Sequence, residues 1–106
     1  MNAKPLVLQA HASKAISAIL SRYVQEGGIL PARGFHKALR KAFRCIGFSP
    51  AMGSRRWAEE LNMDLLRHWR LGKFPHQVFY VEAADHVRIL DVIHERRDMW
   101  QWAEPS

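Results

Sequence analysis

The residues with most to offer chemically gather near the end of the chain, in His94-Glu95-Arg96-Arg97-Asp98, where four of five side chains carry full charge. His94, and His68 further back, can exchange a proton near neutral pH. Arg96 and Arg97 present planar guanidinium forks that suit carboxylate or phosphate. Trp100 and Trp102 follow, flanked by polar residues and better suited to a partner's groove than to a core. Two arginines at a strand end beside tryptophans fit docking to an acidic or phosphate-bearing target. The plainer alternative is a histidine hydrogen-bonded across a sheet and an Arg97–Asp98 surface pair contributing ~0–1 kcal/mol. Other chemistries lack support. The six histidines form no HxH or HxxxH pair and there is one cysteine, a poor set for a metal. Gly27-Gly28 lacks the context of a phosphate-binding loop, and no nucleophile-elbow sequence occurs.

The charged cluster ends a stretch that reads as a β-hairpin. Val78-Phe79-Tyr80-Val81 and the run Val87–Ile93 are rich in β-branched and aromatic residues and are separated by the polar break Ala83–His86. Neither run alternates cleanly, which predicts burial on both faces, one of them against a partner. Before the hairpin, Leu65–Leu71 alternates as a strand, with Arg67, Trp69 and Leu71 on one face and Leu66, His68 and Arg70 on the other. Trp69 is expected in the core.

The first half is helical, apart from a short strand over Lys4–Gln9 whose triplet Leu6-Val7-Leu8 is expected to be buried. From about His11, residues Ile16, Ile19, Leu20, Tyr23 and Val24 form one apolar stripe, ended by Gly27-Gly28. Pro31 sits just inside the next start. Phe35, Leu39, Ala42, Phe43 and Ile46 make a second stripe, with Arg33, Lys37, Arg40, Lys41 and Arg44 on the opposite side. That basic side is a solvated surface or a contact for an acidic partner or DNA. Gly47-Phe48-Ser49-Pro50 stops the helix. Ala51–Met63 is a polar, irregular connection with a helical turn over Arg56–Leu61. One further turn is expected over Met99–Trp102, with fraying beyond it. The order β-α-α-β-β-β predicts an α+β domain, an αα-hairpin packed on a mainly antiparallel sheet.

At 106 residues the chain is one domain, residues 1–106, with an ordered core over about 4–102. A single cysteine permits no intrachain disulfide. No run reaches the ~20 apolar residues of a membrane span, and the first residues lack a signal-peptide core, so the cytoplasm is expected. The net charge of +6 favours polyanions or an acidic protein as partners.

Several of these segments, in this order, resemble the ParE/RelE-type toxins of bacterial type II toxin–antitoxin modules. The resemblance rests on Phe74-Pro75-His76-Gln77-Val78-Phe79-Tyr80, on Val87–Ile93, and on His94–Asp98. It also rests on Ala12, Ile16, Ile19 and Tyr23 of the first helix and on the turn Phe48-Ser49-Pro50-Ala51-Met52-Gly53. Ala15 departs from it, since ParE-like chains usually carry an acidic residue there. The resemblance implies growth arrest, a role in plasmid stabilisation, no cofactor, and neutralisation by a cognate antitoxin in a hetero-oligomer.

Two activities occur among such toxins. RelE-like members cut mRNA on the ribosome, which needs a base for the 2′-OH, an acid for the leaving oxygen and cations for the transition state. By that resemblance the set here would be Lys73, His94 and Arg96. ParE-like members poison DNA gyrase. This sequence is closer to them, because Gly72-Lys73 stands where RelE-like nucleases carry arginine and the tail offers tryptophans where they carry a tyrosine or histidine. Candidate contacts to the target or the antitoxin are Arg70, Arg96, Arg97, Trp100, Trp102 and the basic helix face.

Overall fold

The computed structural model describes residues 2–95. The chain runs β1 (Leu6–Leu8), α1 (Ala10–Gly27), α2 (Ile29–Phe48), a 3₁₀ turn over Pro50–Met52, α3 (Arg56–Glu60), β2 (Leu66–Arg70), β3 (His76–Glu82) and β4 (Val87–His94). The sheet order is β1-β4-β3-β2, with β1 parallel to β4 and the other pairs antiparallel. This is the α+β arrangement expected, with the αα-hairpin on one face. Gly28 makes the tight turn: at φ +83° it occupies backbone space closed to other residues, and its N–H caps α1 at the Val24 carbonyl, 2.9 Å away.

One core lies between the helices and the sheet. Ala12 of α1 and Phe35, Leu39, Ala42 and Ile46 of α2 pack on Val78, Tyr80, Val87, Ile89 and Val92. Each large side chain so buried contributes ~1.5–3 kcal/mol. The other sheet face, expected to be buried against a partner, is covered by the chain itself. Ala58, with Trp57, Leu61 and Met63, packs on Leu66, Phe79 and Ile93. The connection Ala51–Met63, read as polar and irregular, therefore supplies a second small core.

The uneven alternation of β4 has a cause. Tyr80 faces Ile89 and Phe79 faces Asp91, so Leu90 is an extra residue in a β-bulge. The slip places Ile89 and Val92 on the same face. The buried Asp91 carboxylate stabilises the bulge by accepting the Val92 N–H at 2.8 Å, while His11 Nε2 lies 3.1 Å from its second oxygen.

Three expectations need correction. Val7 and Leu8 are exposed, because β1 is an edge strand and only Leu6 reaches the core. Val24 is exposed at the tip of the helix hairpin. Trp69 is only half-buried, since β2 is the opposite edge strand and its ring packs on the rim of the core.

The Phe48–Gly53 turn is tied to the sheet by Tyr80, whose hydroxyl donates to the Pro50 carbonyl at 2.6 Å. Burial pushes the phenol pKa up to about 12. A Cβ on Gly53 would collide with that hydroxyl and lie 2.7 Å from Cζ, so glycine is required here for close approach. Gly53→Ala should cost ~1–3 kcal/mol. Tyr80→Phe, which orphans the Pro50 carbonyl, should cost about 1 kcal/mol. Urea unfolding reads both as lower midpoints at unchanged slope.

His68 lies on the α3 side of β2, buried beside Phe79, and its Nδ1 has no hydrogen-bond partner among the described residues. Burial, then the nearby Arg56 and Arg70 charges, hold its pKa below the ordinary 6.5. The unfolded chain then binds the proton more readily than the folded one. The neutral ring's contribution is therefore complete above 6.5 and is lost as pH falls through the folded pKa. Thermal melting of His68→Leu should decline less steeply than wild type below about pH 6.5; parallel curves would contradict this assignment.

Candidate functional site

Two concavities flank the helix layer. The larger is a groove of about 490 Å³ between α2 and the β2 edge. Its α2 wall is a row of small residues at helical spacing, Gly34, Ala38 and Ala42, continued by Cys45. Small side chains there leave room for Trp69, Leu71 and Phe74 on the sheet side; the Phe74 ring would lie 3.4 Å from a Cβ on Gly34. Lys37, Lys41, Arg70 and Lys73 stand exposed around this apolar floor, and among the described residues no acidic one lines it. Arg70 Nη2 meets Glu95 Oε2 at 3.1 Å, an exposed pair contributing ~0–1 kcal/mol.

The second cavity, about 460 Å³, lies between α1 and the open end of the β3–β4 hairpin. His76 and His94 face each other across the strands with ring centroids 5.3 Å apart, and the Glu95 N–H donates to the Pro75 carbonyl at 2.7 Å. His76 is buried, and Phe35 packs on it edge-to-face with centroids 5.1 Å apart, so this ring belongs to the core as much as to the cavity. Arg22 and Glu26, one helical turn apart and 3.5 Å from each other, also line it. Ala15 is part of this lining, so the position that departs from the ParE pattern adds space here and no charge.

The predicted residues thus fall into separate places. Lys37, Lys41, Arg70 and Lys73 converge on the groove. Arg33, Arg40 and Arg44 are exposed but do not line it. Lys73 and His94, two of the three residues in the nuclease set, line different cavities. Arg96, Arg97, Trp100 and Trp102, with the turn expected over Met99–Trp102, lie outside the described residues. Tyr80 is fastened to Pro50 and holds its proton at any physiological pH. Among the described residues, no group of three or more His, Cys, Asp or Glu side chains is placed to hold a metal ion, and no helix is long and apolar enough to cross a membrane. The groove itself escaped the sequence reading, although the Gly34-Ala38-Ala42 row beside Lys37 and Lys41 was a visible signal for it.

Comparison with known proteins agrees with this architecture. The fold matches a structure described as the chromosomal ParDE toxin–antitoxin system from P. aeruginosa, with a TM-score of 0.72 at 18% identity, over 86% of this chain and 95% of that one. No curated protein sequence matches significantly. Residues 6–99 match the family described as the ParE toxin of the type II toxin–antitoxin system parDE. With nearly the whole length accounted for, the chain belongs to the ParE toxin family.

Proposed function

We propose that this ParE-family chain arrests growth by inhibiting DNA gyrase in the cytoplasm and is neutralised by an antitoxin segment seated in the α2–β2 groove. The observation that carries the antitoxin reading is the groove's composition: an apolar floor ringed by Lys37, Lys41, Arg70 and Lys73, with no acidic side chain in its lining among the described residues and Glu95 paired to Arg70 at the rim. A segment with apolar side chains on one side and carboxylates on the other complements both features at once. Such a segment, disordered when free, is ordered by the groove and offsets the chain's excess charge. The result is a toxin–antitoxin hetero-oligomer. The structural match is to a protein described with a ParDE system, which adds support to this pairing.

The gyrase reading is supported by the family assignment. In the inhibited state gyrase would be held with its DNA cut, so that replication stops.

A gyrase supercoiling assay with purified toxin tests the target. Loss of supercoiling with accumulation of cleaved plasmid, reversed by antitoxin, is the expected result. Unimpaired supercoiling by folded toxin, with mRNA cut in a ribosome-containing translation mixture, would overturn it. For the groove, Lys37→Glu/Lys41→Glu should weaken antitoxin binding roughly tenfold or more, since like charges would meet across the contact. Unchanged affinity by calorimetry would place the antitoxin elsewhere.

A further inference from the structure

The excess positive charge of this chain is concentrated in one element. Helix α2 carries five Lys or Arg and no Asp or Glu, against eleven and ten in the rest of the sequence, so it holds five of the six excess charges. All five are exposed, and none forms an ion pair with a described residue. At 100° per residue the five span about 100°, in the order Arg40, Arg33, Arg44, Lys37 and Lys41, on the side away from the core. Lys37 and Lys41 also line the groove, whereas Arg33, Arg40 and Arg44, within about 40° of one another, form a crest beside it. This ridge runs about 16 Å along the helix, the length of roughly five base-pair steps at ~3.4 Å each.

We infer that the Arg33–Arg40–Arg44 ridge binds the phosphate backbone of duplex DNA without regard to sequence. The argument is one of complementarity. Unpaired like charges on one helix repel each other, and a polyanion relieves that repulsion while releasing its own counterions. Arginine forks match phosphate oxygens in pairs. The crest is convex and offers no apolar floor of the kind an acidic peptide needs for anchorage; that floor lies in the groove, off the ridge. A single strand is a poorer fit, because such sites stack successive bases on several aromatic rings. Only two exposed aromatic rings, His36 and Phe48, lie on α2 beside the ridge, one on either side of it.

Fluorescence anisotropy with a mixed-sequence duplex tests this on the full chain. Three phosphate contacts predict a log–log salt slope near −2.7, so that affinity falls roughly 40-fold between about 50 and about 200 mM salt. Arg33→Gln/Arg40→Gln/Arg44→Gln should flatten that slope and reduce binding at least tenfold, with the melting temperature unchanged because all three side chains are exposed. Lys14→Gln/Arg55→Gln/Arg88→Gln removes the same charge from exposed positions elsewhere and should bind like wild type. Three results would each overturn the inference. These are no binding by folded wild-type protein at low salt, equal loss in both triple variants, and tighter binding of a single strand than of the duplex.

Discussion

The strands β3 and β4 carry apolar side chains on both faces, and the rest of the molecule is arranged to keep both faces from water. Val78 and Tyr80 point to the helices while Phe79 and Ile93 point away from them, and all four are buried. One layer of helices cannot satisfy this demand. The short α3 segment, returning beneath the sheet before β2 begins, covers the second face. Its position depends in turn on the Phe48–Gly53 turn, which Tyr80 fastens to the sheet from the helix side. One tyrosine thereby links the core to the connection that closes the opposite face.

The same demand explains where the functional surfaces lie. The helix hairpin packs on the middle of the sheet, where burial gains most, and β2 is left at the edge with Trp69 only half-covered. The space between α2 and that edge is the groove. Small residues on α2 hold it open, and lysines beside them make it cationic. Helix α2 thus has three distinct sides: an apolar one that completes the core, a groove side that is apolar with a cationic rim, and an arginine crest. The arrangement costs electrostatic self-repulsion, which association with an anionic partner offsets.

Most of the architecture was legible because it follows from local periodicity. The 3.6-residue stripes of α1 and α2, the Gly-Gly turn and the Pro-bounded stop at Phe48–Pro50 required no tertiary information. The β-bulge at Leu90 was visible only as broken alternation, since a bulge is defined by its partner strand. The exposure of Val7 and Leu8 escaped because an edge strand and a central strand of three residues look alike in sequence. The candidate site was harder still. Charged residues could be assigned to a helix face, but a groove requires two elements at once, and Gly34, Ala38 and Ala42 acquire meaning only beside Trp69 and Phe74. Likewise Lys73 and His94, alternative partners for Arg96 in the nuclease reading, cannot be placed from the sequence, and the fold assigns them to different cavities.

The α2–β2 groove is the proposed seat of the antitoxin. Amide hydrogen exchange of the toxin, free and saturated with its antitoxin, addresses this residue by residue. Slowed exchange concentrated in Lys37–Cys45 and Arg70–Phe74 is the predicted result. Protection confined to the β1 edge or to the tip of the helix hairpin, with those two segments unchanged, would contradict it.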